Sequence, residues 1–162
     1  MSTDTLAPIA ERTDSDSQSF VTFIVAGQLF GVPVIRVQDI LTPDAVAPVP
    51  GGPKEVRGLI NLRGRIVTVI DVRTHLSLPK ASDEIVKAGM CVTVESRGDS
   101  YTLFVDKVGD VITLSRDLRE GNPATLDAKW REVAEAVYRT DQGLLVALNV
   151  DRLLAIETKS VR

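Results

Sequence analysis

Apolar and polar positions alternate in short runs along most of the chain, a period typical of β-strands. The first two runs, FVTFIV and QLFGVPV, flank a short turn at residues 26–28, which predicts a β-hairpin that starts the ordered part at Phe20. Later turns predict further hairpins at residues 63–64, 97–99 and 141–143. The run RIVTVIDV is nearly all β-branched and predicts a strand buried on both faces.

The segments between these strands carry other patterns. Residues 35–41 (IRVQDIL) favour a short helical turn, residues 42–53 carry four prolines and predict a loop, and residues 151–162 predict an amphipathic tail. The polar residues 116–130 also predict a loop, whereas residues 1–19 lack any apolar period and predict a disordered leader. Short strands separated by Gly and Pro indicate a mainly all-β fold of small barrels.

Two strand-like segments echo each other along the chain. Residues 37–41 (VQDIL) match residues 108–112 (VGDVI) at an offset of 71, and residues 66–72 match residues 144–150 at an offset of 78. Because both matches occur in the same order, we infer a duplication, with two β-lobes at about 20–74 and 89–150. The alternative is that Val-rich hairpins resemble one another in any β protein.

Composition and charge exclude several classes of protein. The chain has 162 residues, a formal net charge of −3, one Cys and one His. A single Cys rules out an internal disulfide, and one His with one Cys makes a zinc or iron–sulfur site improbable. The negative net charge does not predict the clustered basic surface that nucleic-acid binding requires. Without an apolar run long enough to span a bilayer or a signal-peptide pattern, we expect a cytoplasmic, metal-free protein with no cofactor.

No arrangement of residues predicts catalysis. His75 has no partner in the sequence that would make it a general base, and a surface or helix-end position explains it better. Cys91 lies in an alternating strand, where a packed small hydrophobe is expected. Four arginines surround one pair of strands instead, and arginine suits recognition of carboxylates on a partner protein. For Arg63 at the turn, recognition and simple solvation remain equally open, and Val37 could belong either to an exposed patch or to the core.

The run RGLINLRGRIVTVIDVR at residues 57–73, together with LFVDKVGDVITL and LLVALNVDRLL, closely resembles the CheW family of bacterial chemotaxis coupling proteins. The resemblance covers nearly the whole ordered chain. It implies one domain at residues 20–156, made of two SH3-like five-stranded β-barrel lobes that share a hydrophobic seam, with short helical segments and a tail at 157–162.

The resemblance also implies a non-catalytic adaptor that is recruited to chemoreceptor arrays. Its partners would be the cytoplasmic tip of the receptors and the regulatory domain of the histidine kinase CheA, with membranes involved only through the receptors. Kinase contact is implied for Val37 and Asp39. Receptor contact is implied for five residues, some lining a groove between the lobes: Asn61, Arg63, Val105, Asp106 and Val108.

Three alternatives stay open at this point. The chain could serve a related chemosensory system, of the type that controls type IV pili or gliding. It could be a generic SH3-like peptide-binding module, although its few aromatic residues are not clustered. It could also be a small enzyme that uses His75 or Cys91.

Overall fold

Ten strands account for most of the structure, a computed structural model that describes residues 17–43, 46–120 and 128–161. The strands are β1 (Ser17–Val25), β2 (Gln28–Pro33), β3 (Val37–Leu41), β4 (Val56–Leu62), β5 (Arg65–Asp71), β6 (Met90–Ser96), β7 (Asp99–Val105), β8 (Lys107–Ser115), β9 (Ala134–Thr140) and β10 (Gly143–Leu148). They form a first sheet in the order β8-β1-β2-β10-β9 and a second sheet in the order β3-β6-β7-β5-β4. Two five-stranded lobes, as predicted, make up this mainly β protein.

Short helices connect the strands or follow the last one. They are α1 (Val72–His75), α2 (Asp83–Ala88), α3 (Ala128–Val133) and α4 (Val150–Val161), with 3-10 turns at Val34–Arg36 and Arg116–Leu118. Asp71 ends β5 and caps α1, because its side chain accepts a hydrogen bond from the Thr74 amide. β5 therefore stops at Asp71, and the apolar run of the sequence continues into a helix.

Each sheet combines strands from both of the sequence repeats that the echo indicated. The hairpin β1–β2 pairs with β8 and β10 in the first sheet, whereas the hairpin β6–β7 pairs with β3 and β5 in the second. Strands β3, β4 and β5 occupy the same places in the second sheet as β8, β9 and β10 in the first. The two sequence halves thus exchange hairpins. The lobe boundaries 20–74 and 89–150 are wrong, because the second lobe spans 37–105 and the first combines 17–33 with 107–148.

The hydrophobic core has three parts. One cluster joins both sheets and contains Phe23 and Phe30 of the first sheet and Val92 and Leu103 of the second, all with 0% exposure. A second cluster lies within the first lobe around Leu145, and a third lies within the second lobe around the single cysteine. Since the joint cluster buries side chains of both sheets together, it is the predicted hydrophobic seam.

Local predictions hold at the turns and fail where pairing partners are distant. β1 begins at Ser17, three residues before the predicted start, and the hydroxyls of Ser19 and Thr113 are hydrogen bonded at 2.7 Å; residues 1–16 of the leader lie outside the described residues. The expected helical turn at 35–41 is a strand from Val37 onward, because β6 supplies a partner for it. Ile66 is exposed, so β5 is buried on both faces only further along.

The carboxyl-terminal segments follow a helical pattern. Of the predicted polar loop, residues 121–127 lie outside the described residues, whereas α3 begins at Ala128 and places Trp130 against the Phe30 ring, with centroids 5.5 Å apart. The tail forms α4, which continues through the expected boundary at residue 156. Trp130 donates a hydrogen bond to the Leu76 carbonyl, which fastens α3 to the segment that follows α1.

Candidate functional site

The turn between β4 and β5 presents an arginine. Arg63 and Gly64 both have positive φ values, 55° and 87°, the backbone of the tight hairpin turn that matches strand twist. The Asn61 side chain accepts a hydrogen bond from the Gly64 amide at 2.8 Å, and this bond holds the turn in place. Asn61 therefore supports the turn, and the Arg63 side chain at its tip is 77% exposed.

Arg63 forms an ion pair with Asp39 across the lobe, with Nη2 and Oδ2 2.8 Å apart. The family resemblance implies different partners for these two residues, but the structure brings them together. Nearby, the Ser100 hydroxyl donates to Gln38 at 2.7 Å. We call Asp39, Asn61 and Arg63 the hairpin-end site. Asp39 and Arg63, with neighbours that include Gln38 and Ser100, line a small cleft of about 220 Å³.

Val37 stands at the start of β3 and is half-buried. Its backbone pairs with Val94, and its side chain packs against the core shared by the two lobes. The register of β3 shifts between Val37 and Asp39, an irregularity that separates the two residues in their pairing with β6. The Val37 side chain therefore serves partly to pack the core, while Asp39 belongs to the hairpin-end site.

The residues expected to line a groove between the lobes are mostly packed. Val105 is 1% exposed and belongs to the shared core, so its side chain offers no surface to a partner. Val108 is half-buried against the same core. Asp106 receives hydrogen bonds from Arg73 (Nη2–Oδ2 2.6 Å) and from the Ala26 amide at 2.9 Å.

Asp106 thus connects the β1–β2 turn of the first lobe with α1 of the second. The hydrogen bond to Asp106 raises the pKa of the Arg73 guanidinium above its usual value. Because β5 and β7 are parallel neighbours, Arg63 before β5 and Asp106 after β7 lie at opposite ends of the second sheet, separated by roughly 30 Å of strand rise. The residues implied for receptor contact therefore do not form one continuous groove.

Exposed apolar side chains, which the sequence pattern alone did not indicate, occupy equivalent places in the two lobes. Ile40 and Ile66 are exposed beside the hairpin-end site, since Ile40 follows Asp39 and Ile66 pairs with Asn61. At the offsets of the sequence echo, the first lobe has Val111 and Leu144, which are also exposed. The echo itself was the signal that could have found them.

Charge distinguishes the end of the second lobe that carries the hairpin-end site from the equivalent end of the first lobe. We call these two places the lobe ends. The positions that correspond to Asp39 and Arg63 at the offsets of the echo are Asp110 and Asp141, two acidic residues that cannot form an ion pair. A wider cleft of about 420 Å³, lined in part by Ile112, Leu114 and Leu118, lies at this end of the first lobe. The two ends share apolar positions but differ in charge and in the size of the cleft.

Neither residue considered for catalysis has a catalytic setting. Burial raises the pKa of Cys91 to about 11, which keeps the thiol protonated and unreactive near neutral pH. His75 lies at the end of α1 as expected but is buried, not at the surface, with Nε2 2.7 Å from the Leu153 carbonyl oxygen.

Within the described ranges, no group of three or more His, Cys, Asp or Glu could hold a metal ion. No helix described here is both long and apolar enough to cross a membrane.

Comparison with known proteins agrees with this architecture. The model of the CheW-like domain matches residues 19–158. The chain belongs to the CheW-like family. The chemotaxis protein CheW of Bacillus subtilis is 27% identical over 141 residues, covering 87% of this chain and 89% of the relative. That of Treponema pallidum is 25% identical over 139 residues, covering 83% and 81%.

A solved structure shares the fold as well. The crystal structure of the scaffolding protein TtCheW from Thermoanaerobacter tengcongensis superposes with a TM-score of 0.77 at 26% identity, covering 88% of this chain and 96% of that one. The arrangement of two β-lobes is therefore a property of the family.

Proposed function

We propose that this CheW-like chain is a non-catalytic adaptor that links the cytoplasmic tip of chemoreceptors to the regulatory domain of the histidine kinase CheA. Family membership supports the general role of a chemotaxis scaffold. The relatives are named chemotaxis proteins, and the solved neighbour is titled a scaffolding protein. In this proposal the chain works in the cytoplasm and is recruited to receptor arrays.

The observation that carries the proposal is the hairpin-end site. There the turn fixes the position of the exposed Arg63, whose side chain is paired with Asp39. The Arg63 side chain of this ion pair is 77% exposed, whereas that of Asp39 is only 20% exposed. The pair is worth about 1 kcal/mol, the upper end of the range for surface ion pairs, so a carboxylate of a partner can compete with Asp39 for Arg63. A second partner that occupies Asp39 would release Arg63. The pair therefore couples two binding events, by about fivefold in affinity at most.

The two lobe ends give the adaptor more than one contact surface. Ile40 and Ile66 flank the basic Arg63, whereas Val111 and Leu144 lie in the lobe end that carries Asp110 and Asp141. Apolar contacts with different surrounding charges make the first lobe's end a contact surface distinct from the hairpin-end site. An adaptor that holds receptor and kinase together raises their effective concentration to the millimolar range for short connections.

Arg63→Glu tests the receptor contact, and Arg97→Glu is its matched control. Arg97 and Gly98 form the same kind of turn between β6 and β7, with φ values of 53° and 87°. Both substitutions therefore place Glu at one type of backbone position and change the net charge equally. We expect co-sedimentation with receptor-containing membranes to fall about tenfold for Arg63→Glu only, with similar melting temperatures for both. Equal receptor binding by folded Arg63→Glu and Arg97→Glu proteins would contradict the receptor assignment.

The kinase contact is tested by calorimetry with the CheA regulatory domain. Val37→Lys does not test kinase binding alone, because Val37 packs partly in the core. Its substitution therefore also affects folding. Asp39→Arg removes the acidic group of the hairpin-end site and should weaken kinase binding about tenfold. The double variant Asp39→Arg/Arg63→Asp restores the internal ion pair and serves as the control for stability. Wild-type affinity of Asp39→Arg would remove Asp39 from the kinase surface.

A further inference from the structure

A basic cleft of about 550 Å³ lies on the second lobe, at the end of β5 opposite the hairpin-end site. It opens between the start of β4, the end of β5 with α1, and α2. Its charged lining consists of Lys54, Arg57, Arg73 and Lys80, with Asp71 and Asp83. None of these residues belongs to the kinase or receptor contacts argued above.

The cleft carries an excess of positive charge on a chain whose formal net charge is −3. Of the four cations, Arg73 is neutralised by Asp106, and Arg57 has a longer contact of 3.3 Å with Asp71. The ion pairs found among the described residues include neither Lys54 nor Lys80, and both side chains are exposed. Two lysines at the cleft thus keep charge that is not neutralised within the lobe.

Arg57 is held in position without using most of its donors. Its guanidinium stacks over the Phe104 ring, 4.3 Å from the ring centre, a geometry in which a cation–π contact fixes the plane of the group. A guanidinium has five N–H donors, and one contact to Asp71 leaves others for a ligand. Arg57 can therefore bind a carboxylate from a position that is already ordered.

Carboxylates fit this cleft better than a compact phosphate. The cations come from separate segments spread around about 550 Å³, and no glycine is among the residues that line the cleft. Asp71 and Asp83 in the same lining would repel a dense dianion more strongly than separate single charges. A ligand with carboxylates spaced along a chain can pair with Lys54, Arg57 and Lys80 at separate points of the lining.

We propose that this cleft binds a short acidic segment of a partner protein, with Asp or Glu side chains paired to Lys54, Arg57 and Lys80. The site gives the adaptor a contact surface separate from the lobe ends. Because it depends on ion pairs at a partly solvated surface, its affinity falls as salt is added. The inference does not depend on the identity of the receptor or kinase.

The test uses the full chain and a fluorescein-labelled hexaglutamate peptide, followed by anisotropy at low and physiological salt. We expect saturable binding that weakens with salt. Lys54→Glu/Lys80→Glu should reduce the affinity about tenfold or more. Lys87→Glu/Lys107→Glu makes the same change of net charge at exposed positions outside the cleft and should leave the affinity within about twofold of wild type. Unchanged Trp130 fluorescence confirms that both double variants are folded.

Two outcomes would overturn the proposal. The first is an equal loss of peptide binding in both double variants, because that result means that the peptide senses only overall charge. The second is binding of inorganic phosphate that depends on Lys54 and Lys80 while hexaglutamate fails to bind, since the cleft would then select a compact anion.

Discussion

At the scale of single residues, Asp151 joins three separate parts of the chain. Its Oδ1 accepts hydrogen bonds from Arg36 at 2.5 Å and from the Ser96 hydroxyl at 2.7 Å, and Asp151 itself lies in the first turn of α4. These bonds, that from Arg36 first, hold the pKa of the carboxyl below its ordinary value. The 3-10 turn after β2, the end of β6 and the final helix therefore depend on one ionised group.

The lowered pKa of Asp151 predicts a dependence of stability on pH. A carboxyl whose pKa is lower in the folded state stabilises the protein above its unfolded value, about 3.9, and loses this effect as pH falls through the folded pKa. Asp151→Asn should lower the free energy of unfolding at pH 7 by about 1 kcal/mol or less, because the side chain is partly exposed. Urea unfolding at several pH values should show the difference from wild type disappearing below about pH 4.

The Arg36 partner supplies the control for this experiment. In an Arg36→Gln background, Asp151→Asn should produce a smaller difference at pH 7, because the strongest hydrogen bond is already gone. A difference between wild type and Asp151→Asn that persists unchanged into strongly acidic solution would show that the effect is not electrostatic.

Residue-level prediction from the sequence succeeds where the information is local. The Arg63-Gly64 dipeptide predicts its own turn, because the backbone preference of Gly determines it. The Val105-Asp106 pair gives no sign that one side chain is buried and that the other binds the first lobe, since both facts depend on β1 and β2 about eighty residues away. Likewise, the pairing of Arg63 with Asp39 arises only when β3 and β4 become the two edges of one sheet.

At the scale of elements, Asp106 fastens the β1–β2 turn to α1. Asp106→Ala removes an acceptor from the Ala26 amide and leaves Arg73, 12% exposed, without its carboxylate. We expect the free energy of unfolding to fall by about 3 kcal/mol for Ala and by less for Asn, which keeps an oxygen acceptor for the amide but loses the charge. Thermal or urea denaturation measures this order.

The same variants separate a positioning role from direct contact. If Asp106 acts only by holding the lobes together, any loss of receptor binding in Asp106→Asn should follow the loss of folded protein and disappear at low temperature. A folded Asp106→Asn protein with full stability and no receptor binding would instead make Asp106 a contact residue.

The hairpins were predictable element by element, but their exchange was not. Turn residues at 26–28, 63–64, 97–99 and 141–143 mark all four hairpins correctly, because each hairpin is local. The parallel pairs β2–β10 and β5–β7 join strands that are distant in sequence, and β-periodicity carries no information about such partners. The repeat in the sequence was visible, whereas the reciprocal placement of its hairpins required the structure.

At the scale of the whole molecule, the exchange of hairpins should make unfolding cooperative. The single Trp130 packs on Phe30 of the first lobe, and the single Cys91 is fully buried in the second. Because the shared core joins both sheets, neither lobe can open without exposing the other. We expect Trp130 fluorescence and Cys91 accessibility to a thiol reagent to change at the same urea concentration. Transitions at separate urea concentrations would show that the lobes unfold independently.

The order of strands along the chain also has a consequence for synthesis on the ribosome. All strands of the second sheet lie between Val37 and Val105, so they have emerged together before β9 and β10 are made. The hairpin β1–β2 is made first but must wait for β8 and β10, among the last strands to be translated. Phe20, Phe23 and Phe30 therefore stay exposed in the nascent chain for most of translation, which makes this hairpin the segment most in need of chaperone protection.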